Sequence, residues 1–308
     1  MPEINNPHDR GYKSLLASEK IFLELLESFI DMGWVSQIDR NAITRIDTTY
    51  ILPDFSAKEA DLVYRLKIKN QEVIFYLLLE LQSTVDFQMP YRLLIYMMGI
   101  WRDVLKNIPP EEAARKDFRL PSIVPIVLYN GRDKWTACRS FKDILAASEL
   151  FKEYLVDFKY ILIDVNRYDE RTLMELTNLV GAVFLLDQSE NFKEYCAKML
   201  KIAPNLSKFP ENDFLLFKNW IKLIFSMNLP TEAKREIIRI LDESRPEEAL
   251  KMVTNIEKVI GNVYEEGLND GKIEAAKKML AENLSEDLII KITGLPVEQI
   301  RKIKSELH

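Results

Sequence analysis

The sequence predicts an α/β sandwich followed by a helical C-terminal third, and three observations carry that expectation. Two runs rich in Val, Ile, Leu and Tyr, ADLVYRLKI (60–68) and VIFYLLLEL (73–81), are separated by a polar turn and read as a β-hairpin. Two more apolar runs, SIVPIVLYNG (122–131) and YILIDV (160–165), suit strands of a sheet buried on both faces. Past about residue 185, apolar residues recur only at helical spacing.

In chain order, SEKIFLELLESFID (18–31) places Ile21, Phe22, Leu25, Leu26, Phe29 and Ile30 on one helical face behind a serine N-cap. A polar loop ending in Pro53 leads into the hairpin. From Met89 to Lys106 the residues Leu93, Leu94, Met97, Trp101 and Leu105 return to helical spacing, and Pro109 and Pro110 end that element. A helix is expected between the runs at 122 and 160. Further helices are expected near 171–187, 191–202, 212–227, 231–242, 246–262 and 267–282, with proline or polar breaks between them. The tail SEDLIIKITGLPVEQIRKIKSEL reads as two short amphipathic helices joined by Thr-Gly-Leu-Pro, a helix-turn-helix-like arrangement of the kind that can bind DNA. The organisation expected is a sandwich domain over 1–185 and a helical region over 186–308.

Composition narrows the chemistry. The 308 residues are 47% apolar, enough for a sizeable core. No run approaches the roughly 18 apolar residues of a membrane span, and the start MPEINNPHDRGYK lacks a signal-peptide core, so a soluble, cytoplasmic protein is expected. Cys138 and Cys196 are far apart and in no metal-ligand spacing. The two histidines, His8 and His308, stand at the ends, which leaves triads and histidine-metal clusters poorly supplied. Neither GxxxxGK[ST] nor GxGxxG occurs. Carboxylate chemistry remains. The net charge of −6 weighs against a nucleic-acid partner unless basic residues gather on one face.

Glu80 interrupts the apolar run FYLLLELQS, and an unpaired carboxylate there costs several kcal/mol to bury. It needs a cation, a metal or a proton. Strand alternation puts Glu80 and Gln82 on one side and Leu81 on the other. A turn at Asn70-Gln71 gives facing residues whose numbers sum to 141, which sets Asp61 opposite Glu80. Facing carboxylates repel, and a shared Mg²⁺, a cation that takes oxygen ligands, would relieve them. A turn elsewhere shifts the register and leaves Glu80 to pair with Arg65, Arg92 or a lysine.

The segments EADLVYRL, FYLLLELQSTVDFQMPYRLLIYM and LPSIVPIVLYNGRDKW resemble the Rpn family of recombination-promoting nucleases, also called YhgA-like transposases, within the PD-(D/E)xK nuclease superfamily. The resemblance runs from HDRGYK through ILIDV and returns in the tail KMLAENLSEDLIIKITGLPVEQI. It implies a PD-(D/E)xK restriction-endonuclease-like αβ sandwich with a C-terminal helical region. It also implies a metal-dependent endonuclease that hydrolyses phosphodiester bonds of DNA, linked to recombination or mobile elements. Asp61 and Glu80 take the metal-ligand positions, with Mg²⁺ bound and Mn²⁺ or Ca²⁺ as substitutes. Gln82 stands where the superfamily usually has lysine; its carboxamide can orient water or a phosphate oxygen but supplies no positive charge. A first-helix glutamate often joins such sites, and Glu24 and Glu27 both match. The alternative is a protein of the same fold that binds DNA with a weak or silent site.

Gln88, Arg92 and Tyr96 share a helical face that suits either a phosphate-facing surface or a plain solvent-facing stripe. Asp9 and Lys13 match the family's start. Asp164, at the end of an apolar strand, suits either a group that supports the metal ligands or a strand-end cap, and Tyr129 and Asn130 suit turn chemistry over a functional role. Residues 266–308 hold seven Lys and Arg against eight Asp and Glu, which favours packing or self-association into a homo-oligomer over DNA reading.

Overall fold

The computed structural model describes residues 7–46, 62–69, 71–80, 84–225 and 229–307, with the backbone alone at positions 7, 9, 80 and 307. Helices α1 (Pro7–Leu16) and α2 (Glu19–Phe29) precede a short strand β1 (Thr44–Ile46) and the hairpin β2 (Leu62–Ile68) and β3 (Gln71–Glu80). Helix α3 (Met89–Lys106) and a single turn α4 (Pro110–Ala113) lead to β4 (Ser122–Tyr129), and a turn α5 (Ser148–Phe151) lies before β5 (Ile161–Asp164). The five strands stand in the order β1-β2-β3-β4-β5. The first three pair antiparallel, and β3, β4 and β5 pair parallel.

Alternation along the strands builds two cores. Leu62, Tyr64, Leu66, Phe75, Leu77 and Leu79 face α1 and α2, where Phe22 stacks on Tyr64 with ring centroids 4.0 Å apart. Val63, Ile74, Tyr76, Leu78, Val127 and Tyr129 face α3 through Met89, Leu93, Tyr96 and Ile100. Apolar burial on both faces accounts for the near-continuous hydrophobic runs of β3 and β4.

Beyond β5 the described chain is helical: α6 (Glu170–Glu175), α7 (Leu179–Asp187), α8 (Phe192–Leu206), α9 (Glu211–Phe225), α10 (Thr231–Glu243), α11 (Ala249–Ala281), α12 (Glu286–Thr293) and α13 (Val297–Leu307). Every residue of α7 from Leu179 to Leu186 is buried. The cluster on the α1/α2 face continues from Tyr12 through Ile260, so residue 185 falls inside it. A separate small cluster joins Ala276 of α11 to Ile289, Leu295, Ile300 and Ile303. Between α12 and α13, Gly294 takes φ +69°, the left-handed geometry that ends a helix without a Cβ clash.

Several expectations are corrected. The hairpin connection is 69–70, with Lys69 at φ +49°, so partners sum to 139: Ile68 faces Gln71 and Leu62 faces Leu77. The segments expected as helices at 246–262 and 267–282 form one helix of 33 residues. Its glycines each cost about 1 kcal/mol in a helix interior. Both ends are anchored, one in the large core and the other in the small cluster, and that packing overrides the local penalty. Strand β1 and helix α1 lie outside the elements expected from periodicity, and the connection between β4 and β5 carries short turns rather than a full helix. Ser18 holds the N-cap position of α2 without a side-chain capping bond.

Candidate active site at the ends of the parallel strands

Position 80 closes β3 and is level with Tyr129 of β4, which is level with Asp164 of β5. In open α/β sheets, ligand sites form outside the carboxyl ends of parallel strands, which is where this row lies. Asp61 and Gln82 fall outside the described residues, and Glu80 is described in backbone only. The register expected to set Asp61 opposite Glu80 is not the one the hairpin adopts, since the observed pairing is displaced by two residues. A displacement of two preserves the face on which each position sits. Among the described residues, no group of three His, Cys, Asp or Glu is placed to hold a metal ion.

Tyr129 is fully buried, its ring edge-on to Trp135 at 4.9 Å. Trp135 in turn donates from Nε1 to the Tyr160 hydroxyl at 2.8 Å. Asp164 is 8% exposed, with Arg167 Nε 3.4 Å from Oδ2. Burial pushes its carboxyl above the usual range, and the Arg167 guanidinium partly offsets that rise.

Behind this row lies a polar junction that the sequence did not reveal. The Asp187 side chain, 2% exposed, has His8 Nδ1 2.6 Å from Oδ1. At Oδ2 it accepts from the Tyr12 hydroxyl at 2.9 Å and from Asn130 Nδ2 at 3.0 Å. Asn166 Nδ2 donates to the carbonyls of Asn130 at 2.6 Å and Gly131 at 3.0 Å. One carboxylate thereby ties the HDRGYK segment, Asn130 at the end of VLYNG and the end of α7 together. Burial raises the Tyr12 and Tyr195 hydroxyls well above their ordinary pKa, and the nearby Asp187 carboxylate raises them further. The one sequence signal was an acid closing the otherwise apolar helix LVGAVFLLD.

Glu24 faces α9 and the start of α7. Lys20 Nζ lies 3.7 Å from its Oε1 and 2.5 Å from Asp213 Oδ2. Burial, then the Asp213 charge, raises the Glu24 carboxyl above its usual range, and Lys20 pulls it down. The side chain lines a cavity of about 260 Å³ with Asn178, Lys208 and Asp213. Glu27 pairs with Arg40 Nη2 at 2.6 Å. The stripe of Gln88, Arg92 and Tyr96 does not form a common outward surface. Tyr96 is buried with its ring 5.2 Å from Tyr76, and Arg92 Nη1 lies 2.5 Å from Asp86 Oδ2.

A five-stranded mixed sheet between helical layers, with Glu80 and Asp164 at the carboxyl ends of parallel strands, makes this a mixed α/β protein with its candidate site on strand ends. The chain belongs to the family described as "Putative transposase, YhgA-like", whose model matches residues 6–213. It is also similar to the recombination-promoting nuclease RpnD of Escherichia coli O157:H7, 22% identical over 152 residues. That match covers 48% of this chain and 56% of the relative, so the chain spans about half the length of this curated relative. No solved structure matches. No helix among the described residues is long and apolar enough to cross a membrane.

Proposed function

We propose that this protein is a DNA endonuclease of the PD-(D/E)xK type, with Asp61 and Glu80 as ligands of Mg²⁺ and Gln82 beside them. The observation that carries the reading is the placement of Glu80. The apolar run VIFYLLL of β3 ends on this acid, at the carboxyl end of the first of three parallel strands and level, through Tyr129, with Asp164. Family membership and a relative named a nuclease support it. Glu24, engaged by Lys20 beside Asp213, is left out of the ligand set.

Two carboxylates and a carboxamide offer oxygen donors, the set a hard divalent cation takes. Such an ion, when bound, polarises a phosphodiester and lowers the pKa of a bound water. The Gln82 carboxamide can accept from that water or donate to a phosphate oxygen, which orients attack without adding charge. Tyr129 sits beside position 80 on β4, and the Asp187 junction holds the Asn130 turn that follows it. A second reading, DNA binding with little cleavage, is favoured by Gln82 in place of the usual lysine.

Supercoiled plasmid incubated with the full chain tests the proposal. Conversion to nicked or linear form in Mg²⁺ and not in EDTA is the expected result. Intact plasmid at high protein, or cleavage that persists in EDTA, would count against it.

A further inference from the structure

We propose that the outer strip of the sheet on the α3 side is a track for a nucleic-acid backbone, with Arg65 and Lys67 of β2 holding phosphates on the way to the strand-end site. The inference rests on the nuclease reading for its partner and on the fold for its position.

Strand β2 buries Leu62, Tyr64 and Leu66 toward α1 and α2 and Val63 toward α3, yet Arg65 and Lys67 are exposed. Their parity is that of Val63, so they stand on the α3 side. Helix α3 covers the inner strands, where Ile74, Tyr76, Leu78 and Val127 are all buried. It also covers Val63 of β2, against whose cluster Ile46 of β1 packs, and leaves open the end of the β1–β2 strip that holds Arg65, Lys67 and Thr44, the exposed partner of Arg65. Arg45 pairs with Tyr64 and has the opposite parity, so it is not part of the strip.

Charge points the same way. Arg40 and Arg92 are tied to Glu27 and Asp86, whereas among the described residues Arg65 and Lys67 make no ion pair. Two exposed acids border the strip: Glu72 is level with Lys67, and Asp39 donates its backbone N–H to the Lys67 carbonyl at 3.0 Å. A chain of net charge −6 needs such a local basic surface to hold a polyanion. Two residues apart on one strand face, Arg65 and Lys67 are separated by roughly 6.6 Å, on the scale of neighbouring phosphates. Arg65 is level with Ile74, six positions before Glu80, or roughly 20 Å along the sheet. Position 80 shares the parity of Ile74, so the track and the proposed site lie on one face.

Fluorescence anisotropy of a labelled DNA duplex with the full chain in EDTA, across a NaCl series, reads binding without cleavage. The Arg65→Gln/Lys67→Gln double variant is expected to bind more weakly. Its slope of log K against log salt should be shallower by about 1.8, or about 0.9 for each phosphate no longer neutralised. Glu72→Gln should bind more tightly. Lys251→Gln/Lys277→Gln, on α11, should leave the slope unchanged, and thermal melts should show all variants folded. An unchanged slope in the Arg65/Lys67 variant overturns the track, as does a wild-type chain that binds no nucleic acid. Binding with the expected slope change but no Mg²⁺-dependent cleavage would leave the track standing and remove the nuclease reading. Cleavage with an unchanged slope would do the reverse.

Discussion

The Tyr12 hydroxyl donates to Asp187 Oδ2 at 2.9 Å, joining the first helix to the end of α7 inside a buried junction. The same oxygen accepts from Asn130, so removing the carboxylate strands two donors in the interior. Asp187→Ala is expected to cost about 3 kcal/mol, in the range for opening a buried charge-assisted network. Asp187→Asn, which keeps one acceptor oxygen, should lose less. Urea unfolding of both variants checks the order, and equal losses would show that the charge, rather than the shape and acceptor that asparagine keeps, holds the junction.

Gly11 fits α1 against α9. A Cβ at that position would lie 2.8 Å from Cδ1 and 3.0 Å from Nε1 of Trp220, a buried ring with no flexible end to move aside. Gly11→Ala should destabilise by about 1–3 kcal/mol through overpacking, despite the better helix propensity of alanine. A melting temperature at or above that of wild type would contradict the contact.

Glu24 gives a pH dependence of defined sign. Its folded pKa is raised by burial and by the Asp213 charge. The folded state therefore holds the proton over a range in which the unfolded chain, titrating near about 4.3, has released it. Its contribution to stability is complete below that unfolded value and is lost as pH rises through the raised folded one. Glu24→Gln should flatten this fall and melt higher than wild type near neutral pH. Thermal melts across acidic to neutral pH test it, and a variant that melts lower at neutral pH would show that the Lys20 contact outweighs the burial cost.

Truncation should separate the two hydrophobic clusters. A chain ended at residue 272 loses only the small cluster around Ile289 and Ile300 and should remain folded. A chain ended at residue 185 cuts within α7 and strips Phe184 and Tyr12 of α8 and α9. That fragment should lack a cooperative melt, and a sharp transition would show that the first 185 residues fold alone.

The sequence revealed the elements whose periodicity is strong. Helix α3 falls on Met89–Lys106 as its spacing indicates, and β4 and β5 lie within the apolar runs expected for them. Register was not legible, because the 69–70 connection bends through Lys69, a residue with no turn signature. The break expected within α11 was local propensity overridden by packing at both ends. At the site, Glu80 was conspicuous as an acid in an apolar run, and the structure gives its place in the strand row. The Asp187 junction stayed hidden since Asp187 is separated from His8 and Tyr12 by more than a hundred positions and only tertiary packing joins them.

Plasmid cleavage by Glu80→Ala, compared with wild type at equal Mg²⁺ and with matched melting curves, tests the proposed metal site most directly. The expected result is loss of cleavage in Glu80→Ala, a smaller reduction in Gln82→Ala, and retained or faster cleavage in Gln82→Lys, where the added cation can stabilise charge on the phosphate. A folded Glu80→Ala protein that nicks plasmid at the wild-type rate would contradict it.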